Sequence, residues 1–176
     1  MQMADPHDGM LSFQQGLSLG ILEIDRVPGY PDLYSHFDVP TPGTARFTYA
    51  RLSHDRKTVE AFLTCVMNGK IGGMPCVAVG YAVPETNRSK GYAKSILRDV
   101  VLDQAVQAKR AGHSHIYIEA VADVTNLASQ KVAQVILKAA PEEIVDSASS
   151  RPALRYTAKV DTASGTITGY IPIVLE

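Results

Sequence analysis

The chain contains the run Tyr81-Ala-Val-Pro-Glu-Thr-Asn-Arg-Ser-Lys-Gly-Tyr-Ala-Lys94, which joins an apolar segment to an amphipathic one. Before it, Cys76 to Val83 is nearly continuous in apolar residues, as expected for a strand covered on both faces. Pro84 cannot donate to a ladder, so the strand bulges or leaves its neighbour there. From Ala93 to Ala111 the period changes, and Ile96, Leu97, Val100, Val101, Ala105 and Ala108 share one helical face. Lys109 and Arg110 stand in the last turn, and Gly112 suits the position just past the end. A helix thus begins near Gly91. Its first amides lack partners within the helix, and the positive end of its dipole faces outward, an arrangement that binds phosphate. Gly91 permits close approach of backbone to ligand, while Arg88, Lys90 and Lys94 add positive charge. The pattern is neither a Walker loop nor the Gly-x-Gly-x-x-Gly dinucleotide fingerprint. Taken alone, the loop reads equally well as a strand–helix turn with solvated basic residues.

Upstream, Thr58 to Met67 alternates, with Val59, Ala61, Leu63, Cys65 and Met67 on one face, and Ala45 to Leu52 places Phe47 and Tyr49 together. Asn68-Gly69 and Gly72-Gly73 are turn signals, so these strands and the next read as an antiparallel meander. Residues 27–43, with Pro28, Pro31, Pro40 and Pro42, are expected to lack regular structure, as a surface loop or as a lid over a substrate site. Leu17, Leu19, Ile21 and Ile24 suggest a first strand, and residues 1–16 read as loose. Downstream come a short strand, Ile116 to Glu119, and a second helix capped by Thr125 or Asn126 and closed by Pro141. Ile144 to Val145, Leu154 to Val160 and Thr166 to Val174 are later strand candidates. The order gives an α/β domain, a mixed and mostly antiparallel sheet flanked by helices, over residues 1–176 as one unit.

A chain of 176 residues with 45% hydrophobic and 20% charged residues can bury a sizeable core, which excludes wholesale disorder. Lys and Arg number 17 against 18 Asp and Glu, so no general pull toward nucleic acid or anionic membrane exists. Cys65 and Cys76 are too few for a disulfide framework and lack metal-site spacing, and read as small buried hydrophobes; no metal is expected. No apolar run has the length of a membrane span. Asp5 and Asp8 stand where a signal peptide carries positive charge, so a cytoplasmic location is expected.

Arg88-Ser-Lys-Gly91-Tyr-Ala93, set between a strand and a long amphipathic helix, resembles the Arg/Gln-x-x-Gly-x-Gly/Ala pyrophosphate loop of the GCN5-related N-acetyltransferases. Ile116-Tyr-Ile-Glu119 followed by Asn126 and Ser129 resembles the strand and Asn-opened helix that come next in that family. The likeness covers roughly residues 45–140 and implies the acyl-CoA N-acyltransferase fold. It implies that backbone groups of Tyr81, Ala82 and Val83 hold the pantetheine arm and polarise the thioester. The amides of Arg88, Ser89, Lys90, Gly91, Tyr92 and Ala93 would hold the pyrophosphate, with Lys94 adjoining, and Asn126 would contact the pantetheine arm. The implied reaction is direct acetyl transfer from acetyl-CoA, as cosubstrate, to an amine in a ternary complex. A homodimer through the C-terminal strands also fits the family.

The catalytic residues follow the family less closely. Many members carry a Tyr acid seven positions after the Asn, where this chain has Ala133. Ser129, one turn past Asn126, either assists through water or is an ordinary cap-proximal residue. Tyr81 and Tyr117 have suitable chemistry but read equally as core aromatics. Glu119 is the candidate base, its burial raising its pKa; the other reading is a solvated strand-end carboxylate. Glu85 is the alternative base, and His36 can meet substrate from its loop, while His113 and His115 read as a cap and a strand start. Ala139-Ala140-Pro141 replaces the Gly-Phe that often follows the second helix. Two other functions stay open, a non-catalytic acyl-CoA sensor and a nucleotide-phosphate binder of another fold. The acceptor is expected to be a small-molecule or peptide amine, with no membrane and no nucleic-acid partner.

Overall fold

The computed structural model describes residues 5–171, and its first element is a helix where the sequence suggests none, α1 (Pro6–Leu19). The Asp5 side chain accepts the His7 amide at 2.9 Å, and Pro6 fits the first turn because that position needs no amide donor. Gly20, at φ 69°, closes the helix, with the Ile21 amide bonded back to the Gly16 carbonyl. The expected loose segment is therefore ordered from Asp5 on. The expected strand through Leu17, Leu19, Ile21 and Ile24 is likewise corrected, since the sheet begins at β1 (Asp25–Arg26). Tertiary contact decides this. Met10 and Phe13 are buried against Phe62, Tyr34 and Leu52, each burial contributing roughly 1.5–3 kcal/mol. At Gly9, a methyl group would stand 3.2 Å from the Phe62 ring, so glycine lets α1 lie close on the sheet.

The Pro-rich stretch also departs from expectation, because it contains β2 (Leu33–Thr41), paired with β3 (Thr44–Leu52). β1 covers only the Tyr34–Ser35 part of its outer edge, and Pro40 lies where the ladder is irregular between Asp38 and Thr41. At an edge, a missing donor breaks no ladder bond. The meander continues through β4 (Val59–Ile71) and β5 (Met74–Ala82). Gly72-Gly73 makes their turn, whereas Asn68-Gly69 lies inside β4 as a bulge between Met67 and Lys70. A second irregularity, between Arg51 and Leu52, puts Val59 on the α1 face while Ala61, Leu63 and Cys65 take the other. Met67 is exposed, so the single apolar face expected for these five residues is broken at both ends.

β5 passes through α2 (Tyr92–Arg110) to β6 (His115–Asp123), which runs parallel to it. β6 is longer than the four residues expected. Next come α3 (Leu127–Leu137), β7 (Glu142–Val145), β8 (Pro152–Asp161) and β9 (Ile167–Gly169). The rest of the strand expected over Thr166 to Val174 lies partly outside the described residues. The sheet order is β1-β2-β3-β4-β5-β6-β8-β7 with β9 on β8, and β5–β6 is the parallel pair among antiparallel ones. α2 and α3 cover one face over Leu63, Val79, Ile96, Val100, Ile118 and Ala133, while α1 covers part of the other. Arg51, buried in β3, reaches Asp99 at 2.7 Å and Ser95 at 3.3 Å and so fixes the first half of α2. α3 ends with Lys138 at φ 52°, just ahead of Ala139-Ala140-Pro141. No helix among the described residues is long and apolar enough to cross a membrane.

Candidate active site

Pairing between β5 and β6 runs from Cys76↔Tyr117 to Val79↔Ala120 and then stops, although β5 continues to Ala82 and β6 to Asp123. Beyond that point β5 keeps only β4, through Ala82↔Phe62, and β6 keeps only β8, through Asp123↔Ala153. The sheet therefore opens like a V. The edges of β5 over Gly80 to Ala82 and of β6 over Val121 to Asp123 that face the gap have no ladder partner there. The divergence begins one pair past Glu119, which still pairs with Ala78.

At the top of the V, a 3₁₀ turn (Glu85–Asn87) leads to Ser89 at φ 62° and Gly91 at φ 81°. α2 then starts with no side-chain cap. Its first intrahelical bond runs from the Ser95 amide to the Gly91 carbonyl, so the amides of Tyr92, Ala93 and Lys94 are available to an anion. A methyl group on Gly91 would meet nothing within 4 Å, so the space above it is open. Arg88 folds back to the Val83 carbonyl at 3.5 Å, at the mouth of the gap.

The opposite wall is α3. Asn126 caps it, its side chain accepting the Ser129 amide at 3.1 Å. The Tyr81 hydroxyl donates to the Ser129 carbonyl at 2.7 Å and so crosses the gap from β5 to α3. Burial pushes the Tyr81 phenol above its ordinary pKa. The loop, the V and the face away from α2 form one cleft of about 1760 Å³. Tyr81, Ala82, Val83, Arg88, Ser89, Gly91, Tyr92, Ala93, Lys94, Asn126, Glu119 and Ser129 line it, and Lys90 does not.

Glu119 forms the floor on the face away from α2 and α3. Its Oε1 accepts the Asn68 amide group at 3.3 Å. Burial pushes its carboxyl above the ordinary carboxylate range, Arg155 opposing that shift and Glu142 adding to it. The same burial pushes the Cys76 thiol, on neighbouring β5, up to about 12, with Glu119 adding. Asn68, Arg155, the first residues of α1 and the segment between Ile144 and Arg151 complete this end, and the sequence reading missed all of them. Alternation in β8 groups Arg155 with Thr157, but only the pairing register reveals that they stand beside Glu119.

Other candidates lie elsewhere. Glu85 is exposed in the 3₁₀ turn and does not line the cleft. His36 is held in β2 by the Glu23 carbonyl at 2.7 Å. Tyr117 is buried against Tyr170 and His115. Ala133 is fully buried in the core.

No family model and no curated protein matches the sequence. Among solved structures, the chain is similar to Mycobacterium smegmatis RimJ in complex with CoA-disulfide, at 17% identity and TM-score 0.48, over 66% of this chain and 53% of that one. It is similar to an acetyltransferase of the GNAT family from Bacillus anthracis, at 13% identity and TM-score 0.43, over 66% and 67% of the two chains. A third is the aminoglycoside N(6')acetyltransferase of Legionella pneumophila, at 15% identity and TM-score 0.46, over 66% and 63%. The shared part is little more than half of RimJ and under two thirds of the Legionella enzyme.

Proposed function

We propose that the protein is an N-acetyltransferase that moves an acetyl group from acetyl-CoA to a primary amine. The observation that carries this reading is the parting of β5 from β6 beside the uncapped start of α2. An elongated ligand with an anionic head and a hydrogen-bonding arm matches that pairing of features. The Tyr92, Ala93 and Lys94 amides, with Lys94 and with Arg88 released from the Val83 carbonyl, take the pyrophosphate, and the backbone groups of β5 that face the gap take the arm. The cleft, at about 1760 Å³, exceeds the ~300–1,000 Å³ of a single small-molecule site and has room for two ligands.

Bound acetyl-CoA supplies an activated acyl carbon with a thiolate leaving group. An unpaired β5 amide polarises the acyl oxygen, and the low-dielectric gap strengthens that bond. Glu119 takes the proton from the acceptor ammonium, which otherwise has no lone pair for attack. The amine nitrogen then bonds to the acyl carbon and the carbon–sulfur pair leaves on sulfur. Tyr81, with Ser129 beside it, gives its proton to that sulfur, and the second proton shed by the attacking nitrogen passes through water to restore the phenol. Burial raises the Tyr81 phenol and so keeps its proton in place until the thiolate departs. Steady-state release of CoA thiol in the presence of amines tests this reading. Turnover that depends on Glu119 supports it, and tight CoA binding with no turnover of any amine assigns the site to a non-catalytic sensor.

A further inference from the structure

Arg155 lines the cleft at the Glu119 end, and Glu142 does not. Glu142, opposite Arg155 on β7, accepts from Nε at 3.1 Å with one oxygen and from Nη2 at 2.8 Å with the other. This side-on grip fixes the guanidinium plane and leaves three of its five N–H groups without a partner among the described residues. Arg155 pairs with Val121, and Thr157 pairs with Glu119. Arg155 and Glu119 therefore project from one face on a cross-strand diagonal, with Cα atoms ~7–8 Å apart. They form no ion pair with each other.

The other carboxylates lining the cleft each accept a backbone amide, Asp5 that of His7. Asp123 accepts the Thr125 amide and hydroxyl and pairs with Arg151 at 3.2 Å, while Asp146 accepts the Ser149 amide.

Resting on the acetyltransferase reading, we infer that the acceptor is a free amino acid, its amine on Glu119 and its carboxylate on Arg155. A braced guanidinium and a carboxylate without a cationic partner, on one face of the sheet, match the two ends of a zwitterion. The α-amine of a peptide has no carboxylate beside it, and a diamine presents a cation to Arg155.

The test measures acetyl transfer with free amino acids, with the same amino acids as carboxamides, and with putrescine, alongside calorimetric titration with CoA. The expected result is turnover of free acids, with acceptor KM roughly ten- to hundredfold higher for the amides, as loss of a hydrogen bond to a charged group implies. Arg155→Gln should raise the KM for acids by a similar factor, leave the KM for amides unchanged and leave CoA affinity unchanged. Glu142→Gln should raise the KM for acids by a smaller factor, since it frees the guanidinium without removing it. Equal or better use of amides or putrescine, or an unchanged acid KM in Arg155→Gln, overturns the assignment while the acetyltransferase reading stands. CoA binding with no acceptor turned over overturns it too, and absence of CoA binding overturns both.

Discussion

The Tyr81 hydroxyl donates to the Ser129 main-chain carbonyl at 2.7 Å, linking the strand on one side of the cleft to the helix on the other. It does so where β5 has already left β6, so it spans the gap without closing it. The helix position that carries a phenol in many relatives of the resembled family is Ala133 here, buried in the core. A phenol nevertheless reaches the same helix from the facing strand.

Tyr81→Phe should cost about 1 kcal/mol of stability, the net value of one hydrogen bond. Its effect on turnover should be larger, a fall in kcat of roughly 10²-fold with CoA affinity within twofold of wild type. Because burial raises the phenol, Tyr81 stays protonated across the working range and adds no pH limb below its ordinary value. Thermal melting and a kcat-against-KM comparison check both statements.

As the proposed base, Glu119 should set the acidic limb of the rate profile. Burial holds its carboxyl above the ordinary value, so activity should rise with pH through a limb that lies above the usual carboxylate range. Glu119→Gln should remove that limb and lower kcat by roughly 10²-fold or more. A raised carboxyl binds its proton more tightly folded than unfolded. Its stabilising contribution is full below the unfolded value and is lost as pH rises through the folded one. Glu119→Gln should therefore melt no lower than wild type at neutral pH, and a clear drop in its melting temperature there would contradict this account of its burial.

Gly91 stands at φ 81°, and a methyl group there meets nothing within 4 Å. The cost of Gly91→Ala is thus conformational alone, about 1–2 kcal/mol. The new methyl group points into the space assigned to the pyrophosphate, so CoA affinity should fall tenfold or more. Calorimetric titration and thermal melting separate the two effects.

Gly169 is constrained by contact instead. A Cβ there would clash with the Lys138 carbonyl oxygen, against the turn that ends α3. Gly169→Ala should destabilise the fold by ~1–3 kcal/mol, in line with other overpacked sites. A melting temperature equal to that of wild type would show that β9 does not press on α3.

Much of this architecture was legible because local and tertiary signals agree. The apolar run before Pro84, the amphipathic face from Ile96 to Ala108 and the cap at Asn126 each report their own element, and together they locate the cleft. α1 and β2 were not legible. Gly9 and Gly16 thin out the helical pattern of α1, yet Gly9 permits its approach to Phe62. Pro40 argues against a strand until β2 proves to be an edge, where the missing donor goes unnoticed. The Glu119 end of the cleft escaped for a different reason. Asn68, Arg155 and Glu142 are brought to Glu119 by strand register between distant segments, which no local pattern encodes.

The central claim is that the opened β5–β6 pair and the α2 N-terminus bind acyl-CoA. Calorimetric titration of the purified protein with CoA and acetyl-CoA, beside a folded Arg88→Glu, Gly91→Glu double variant, tests it most directly. The account predicts saturable binding by the wild type and its loss in the variant. No binding by the wild type at millimolar ligand, or equal binding by both proteins, would contradict it.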